Sequence, residues 1–188
     1  MTPDFASLPA DLPAPEDDGG ARHLEGLIAP DVSLEATDGT RVSLSRLAGR
    51  AVIYAYPRTG EPGRPNLVAD WDAIPGARGC TPQACDFRDH HAELIRRGVA
   101  HVHGLSTQTS AYQREVAARL RLPFPLLADP HGALTRAMPL PTFTAGGLTL
   151  LRRLTLVLDG GRVTKVFYPV FPPDCGAQQV IAWLDAGA

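Results

Sequence analysis

The run Ala51–Pro57, AVIYAYP, constrains the fold most: six apolar or aromatic residues follow one another without a polar alternation, and a proline ends them. A strand that alternates polar and apolar residues can leave one face to water, whereas one without alternation must be covered on both faces. The chain therefore needs a sheet with this strand inside it and other elements packed on each side. The flanking patterns supply them. Upstream, VSLEA alternates from Val32, turns at Asp38–Gly39 and alternates again through Val42 and Leu44, which reads as a β-hairpin followed by a short helical turn at Ser45–Leu47. Downstream, Val99–Ser106 reads as a strand, Thr109–Arg121 as a helix with a stripe at Val116, Ala117 and Leu120, and Phe124–Ala128 as a short strand. A short helix over Asp129–Ala137 comes next. A loop, LPTFTAGG, precedes strands at Leu151–Leu158 and Arg162–Tyr168 joined by a DGG turn, and Gln178–Leu184 closes the chain as a helix. Strands and helices in this order predict an α/β fold with a central mixed sheet flanked by helices and an N-terminal hairpin. Residues 1–22, with four prolines, an acidic EDD and paired glycines, read as a flexible Pro-rich tail, and residues 23–188 as one domain.

Composition narrows the function classes. Eighteen basic and twenty acidic residues are interspersed, for a formal charge of −2, so nothing favours nucleic acid or an anionic membrane as partner. No apolar run approaches the roughly 20 residues of a membrane span, and the N-terminus lacks a basic region followed by an apolar one. The expected setting is the cytosol. There, three cysteines do not form a structural framework, and the close pair Cys80 and Cys85 points to redox chemistry or metal binding. The histidines His90 and His91 beside them supply no second ligand cluster of the kind zinc needs.

The stretch from Ile74 to Arg97 carries the chemistry. Gly76 and Gly79 allow a sharp turn, Cys80 or Thr81 can cap a helix running to Gly98, Pro82 suits its first turn, and Phe87, Leu94 and Ile95 give it an apolar face. A thiol at that point sits at the positive end of the helix dipole. A free thiol is only about 3% thiolate at neutral pH, and the thiolate is the nucleophile. A helix terminus contributes about 0.3–1 kcal/mol, so a second positive group is expected near the sulfur.

Four segments then carry a resemblance: APDVSLEATDGTRVSLSRLAGRAVIYAYP, GCTPQACDFRD, LPFPLLADPHGALTRAM and RRLTLVLDGGRV. From about Ala29 to the C-terminus the chain resembles the peroxiredoxins, in their bacterioferritin-comigratory or Q-type branch. The resemblance implies a thioredoxin-like fold and thiol-dependent reduction of hydrogen peroxide and organic hydroperoxides. It implies no metal, haem or flavin, a thioredoxin-like dithiol as reductant, and a monomer or homodimer. By match to the motif, Cys80 corresponds to the peroxidatic cysteine and Cys85 to the resolving one, and Arg153 stands where the family keeps an arginine facing the thiolate. Cys175, in FPPDCGAQQ, resembles the resolving position of another branch and is the alternative to Cys85. The family's threonine three residues before the peroxidatic cysteine is replaced here by Ala77, and an insertion separates Pro57 from Cys80. Thr59, at the start of that insertion, is the candidate for the missing hydroxyl. The Gly60–Gly79 loop is either a surface insertion anchored by Trp71 or a lid that narrows access to Cys80. The functional alternative is a redox-sensing module of the same fold that turns over slowly or not at all.

Overall fold

The computed structural model describes residues 7–187. Seven strands form one sheet: β1 (Ser33–Ala36), β2 (Arg41–Ser43), β3 (Arg50–Ala55), β4 (Val99–Ser106), β5 (Leu126–Ala128), β8 (Leu154–Asp159) and β9 (Arg162–Phe167), while β6 (Thr142–Ala145) and β7 (Leu148–Leu151) pair separately. The order is β2-β1-β5-β4-β3-β8-β9. Strands β3, β4 and β5 are parallel, and β1–β2, β1–β5, β3–β8 and β8–β9 are antiparallel, so the sheet is mixed. Five helices join or flank the strands: α1 (Cys80–Asp89), α2 (His91–Arg96), α3 (Ser110–Leu120), α4 (Ala133–Ala137) and α5 (Gly176–Asp185).

The apolar run behaves as its composition demands. Residues Ala51 to Ala55 are all buried in β3, and the two-residue period of a strand sends them to different cores. Ala51, Ile53 and Ala55 join Leu44, Leu134 and Met138 on one face; Val52 and Tyr54 join Phe87 of α1, Leu94 of α2, Val116 of α3 and Val180 of α5 on the other. Tyr54 stacks on Phe87 with ring centroids 4.3 Å apart and planes 7° from parallel, seating α1 on the central strand.

Several expectations change. The helix from Cys80 does not run to Gly98 but breaks at His90, where φ −97° and ψ 4° leave the helical region and the ring Nδ1 bonds to the Asp86 carbonyl at 2.9 Å. Beyond the break Leu94 is buried while Ile95, expected on the apolar face, is 43% exposed. The stretch read as the loop LPTFTAGG forms most of a hairpin, β6–β7, turned by Gly146 and Gly147, both at positive φ. Of the proposed tail, residues 1–6 lie outside the described residues. The rest packs on the body: Ala21 is buried in the main core, and Asp18 accepts a bond from the Tyr168 hydroxyl at 2.8 Å. Prolines and short side chains there cover the surface without a periodic apolar face, which is why composition alone suggested a tail. Among the described residues no helix is long and apolar enough to cross a membrane.

Candidate active site

Helix α1 begins at Cys80 because Gly79 turns the chain with φ 103°. A Cβ at residue 79 would lie 2.3 Å from the Pro173 ring, so both conformation and space require glycine. Gly79 is the N-cap, not Cys80 or Thr81, and no side chain caps the helix. Cys80 thus stands in the first turn, 3% exposed, with its Sγ 3.6 Å from the Ala77 carbonyl.

Arg153 reaches this turn from the segment between β7 and β8. Its Nη2 donates to Cys80 Sγ at 3.3 Å and to the carbonyls of Gly76, Ala77 and Arg78 at 3.2, 3.4 and 3.0 Å. Its Nη1 donates to the side-chain oxygen of Gln83, one turn into α1. The guanidinium is 2% exposed, and a buried charge is costly unless it is bonded and balanced. Its hydrogen-bond partners are three carbonyls, an amide and a thiol, and of these only the Cys80 sulfur can take a negative charge.

Cys80 is among the residues that line a cavity of about 340 Å³. Gly79, Cys80 and Thr81 form one side; Arg58 and Tyr112 and the inserted segment from Gly60 to Trp71 form much of the rest. The inserted loop is held by a small core of its own, in which Trp71, Ala77, Ala145 and Leu150 are buried together. Trp71 therefore anchors the loop, and the unforeseen β6–β7 hairpin is what it is anchored to. The loop and Cys80 thus line the same cavity.

The remaining expected residues sit differently. Cys85 lies half-buried on α1, where burial pushes its thiol up against the opposing pull of Arg88. Cys175 occupies the N-cap position of α5, and burial followed by the neighbouring Asp174 pushes its thiol up too. All three cysteines are free. Thr59 does not deliver its hydroxyl to the sulfur: Oγ1 donates to Gln108 at 3.0 Å, and the residue is not on the wall of the Cys80 cavity. The Thr59 backbone N–H bonds to the same Gln108 oxygen at 2.9 Å, and Gln108 and Tyr112 both donate to its carbonyl. Ala77 is wholly buried and offers only its carbonyl. Sequence reasoning missed Gln83, Arg58 and Tyr112; the glutamine three residues after the cysteine, one helical turn on, was the signal available for the first.

A family model described as Redoxin matches residues 24–181 of this chain. Peroxiredoxin Q of the Gentiana triflora chloroplast is 30% identical over 187 residues, covering 96% of this chain and 77% of that protein. The chain belongs to the peroxiredoxin Q family. Another peroxiredoxin Q, the chloroplastic protein of Oryza sativa subsp. japonica, is 34% identical over 145 residues; they make up 77% of this chain and only 58% of that relative's length. Solved peroxiredoxins share the architecture. Peroxidoxin BcpB of Mycobacterium tuberculosis superposes with a TM-score of 0.68 at 27% identity, covering 87% of this chain and 97% of its own. Peroxiredoxin Q of Xanthomonas campestris gives 0.66 at 26% identity over 85% of this chain and 92% of its own. This peroxiredoxin therefore has the thioredoxin-like fold of its relatives.

Proposed function

We propose that this peroxiredoxin reduces hydrogen peroxide and organic hydroperoxides, with Cys80 as the attacking sulfur. The observation that carries the reading is the buried Arg153 guanidinium donating to Cys80 Sγ at 3.3 Å, at the start of a helix and beside a cavity. The thiolate sulfur attacks the outer peroxide oxygen. An S–O bond forms, the O–O bond breaks, and the departing oxygen takes a proton to leave as water or an alcohol. The sulfur, oxidised by two electrons, becomes a sulfenic acid. Arg153, anchored to Gln83 and three carbonyls, holds a positive charge where negative charge moves from sulfur to oxygen.

A second thiol then attacks the sulfenic sulfur, hydroxide leaves as water, and a disulfide remains for a thioredoxin-like dithiol to reduce. We assign this role to Cys85. In α1 the two cysteines stand five residues apart, about 7.5 Å along the axis, beyond the ~4.4–6.8 Å Cα separation of a disulfide. The first turns of α1 must therefore unwind in each cycle. Cys175 is the competing thiol, since Pro173, two residues before it, packs against Gly79. Serine variants of Cys85 and Cys175, oxidised with one equivalent of peroxide and mapped by mass spectrometry, decide between them. A Cys80–Cys85 bridge, lost only in Cys85→Ser, is expected; a Cys80–Cys175 bridge in the wild type overturns the assignment. Three free thiols suit a reducing compartment, and the cytosol is our reading of the location.

One observation favours a second reading. With alanine at position 77 and the Thr59 hydroxyl bound to Gln108, neither supplies a hydroxyl to the peroxide. A slow redox sensor would be oxidised once per molecule, whereas a peroxidase given a thioredoxin system consumes peroxide continuously.

A further inference from the structure

The segment from Leu8 to Pro15 lies upstream of every motif that carries the family resemblance, yet it packs against the turn that precedes Cys80. Its side chains divide by exposure: Leu8, Leu12, Pro13 and Pro15 are half-buried, while Pro9, Ala10, Asp11 and Ala14 are exposed. The half-buried set meets the turn at both of its glycines. A Cβ on Gly79 would stand 3.0 Å from Leu8 Cδ2, and one on Gly76 would stand 3.6 Å from the Pro15 ring. Between these contacts Leu12 and Pro13 share a narrow gap with Gly76, Arg78 and Arg153, and Pro15 shares another with Gly76 and Arg153. The segment is fastened just beyond Pro15. There Asp18 accepts from the Tyr168 hydroxyl at 2.8 Å and lies 3.7 Å from Arg152, the neighbour of Arg153.

The turn needs such support. Gly76 at φ 78° and Gly79 at φ 103° give its backbone more conformational freedom than any other residue type would, so packing has to select one form. Arg153 ties the carbonyls of Gly76, Ala77 and Arg78 together, and the N-terminal segment packs on the same backbone. Its prolines fix φ and lessen the entropy lost when the segment is ordered there.

We propose that Leu8 and Leu12 are positioning residues for the reaction at Cys80: they keep the Gly76–Gly79 turn in the form that holds Arg153 against the sulfur, and they release it when the first turn of α1 unwinds. The inference rests on the peroxidase reading with Cys85 as the second thiol, and goes beyond it by giving the N-terminal segment opposite effects on the two halves of the cycle. The segment favours attack on peroxide and slows closure of the disulfide.

The test is the double variant Leu8→Ser, Leu12→Ser in the full chain, with two rates resolved by stopped flow: oxidation of Cys80 by hydrogen peroxide, and the closure of the disulfide that follows. The first is expected to fall about fivefold and the second to rise about fivefold, the scale of removing two half-buried leucines. Opposite signs separate positioning from a general loss of stability. Amide exchange from Gly76 to Thr81 should accelerate as well, while α3 keeps its wild-type exchange and circular dichroism confirms the fold. Leu8→Ile, Leu12→Ile, which keeps the apolar volume, should restore both rates. If the serine variant does not fold, Leu12→Ala alone should show the same two signs at about threefold. Both rates within twofold of the wild type, or both moving in one direction, overturn the proposal and leave the peroxidase reading intact. A wild type whose bridge joins Cys80 to Cys175 overturns the release. A wild type that hydrogen peroxide does not oxidise at Cys80 fails the peroxidase reading, and this inference falls with it.

Discussion

A guanidinium that is 2% exposed has to be compensated by its neighbours, and Arg153 has five of them. Its two roles, holding the turn before α1 and facing the sulfur, are separable by substitution. Arg153→Met removes both charge and fork, and the rate of Cys80 oxidation should fall about 10²-fold, the typical loss when one preorganised donor is removed. Arg153→Lys restores the charge without the planar fork and should recover only part. Stopped-flow oxidation by peroxide measures this, and a methionine variant within twofold of wild type would remove Arg153 from the reaction. The arginine was legible from the family resemblance taken together with the argument that an ionisable thiol needs a second positive group. Thr59 was not: its hydroxyl had an eligible residue type and position, but the partner that claims it, Gln108, is 49 residues away in sequence. A second buried titratable group makes its own prediction. His103 donates from Nδ1 to the Pro125 carbonyl at 3.1 Å, while its Nε2 is buried without a partner among the described residues. Burial pushes its imidazole down, with His101 adding and the Pro125 carbonyl and Asp38 opposing. The unfolded chain then binds a proton more readily than the folded one, so stability is highest above the unfolded value near 6.5 and falls as pH drops below it. Urea unfolding between about pH 7 and 5 should show this slope, and His103→Leu should lessen it; an unchanged slope would contradict the assignment.

At the scale of elements, the proposed Cys80–Cys85 disulfide asks α1 both to hold Cys80 against Arg153 and to unwind during the cycle. Asp86, one residue beyond Cys85, is the latch. Its carboxylate accepts from the Ala177 backbone N–H at 2.7 Å and the Gln178 amide at 3.4 Å, tying α1 to the start of α5, and His90 Nδ1 lies 3.0 Å away. Burial pushes this carboxyl up, against the smaller opposing pull of those donors. Asp86→Ala leaves a buried N–H unpaired, a loss of about 1–3 kcal/mol. Amide exchange within α1 should accelerate by about 5- to 150-fold, and the proposed disulfide should form faster after oxidation. Unchanged exchange would mean that the latch does not govern the helix. The latch, like the break at His90, was hidden in sequence because both depend on what α5 and the Asp86 carbonyl offer in space. The β6–β7 hairpin is hidden for another reason: by composition Gly146–Gly147 reads as a loop, although two positive-φ residues between short apolar runs are what a tight hairpin turn needs.

Across the whole molecule, the parts read correctly were those whose physics is local or periodic. The uninterrupted apolar run demanded a strand covered on both faces, Asp38–Gly39 demanded a hairpin, and glycine turn, cysteine and helix start coincided at Gly79 and Cys80. What escaped were contacts between distant segments: the N-terminal residues packed on the core, the hairpin beneath the inserted loop, and the cavity those pieces enclose. The site is nonetheless assembled on the buried centre of the fold: Tyr54 of the central strand stacks on Phe87 of the helix that begins with Cys80. The most direct test of the account is steady-state consumption of hydrogen peroxide, with a dithiol as reductant, by the wild type and by Cys80→Ser. The account predicts continuous turnover by the wild type and none above the protein-free rate for the variant; a serine variant that goes on consuming peroxide would contradict it.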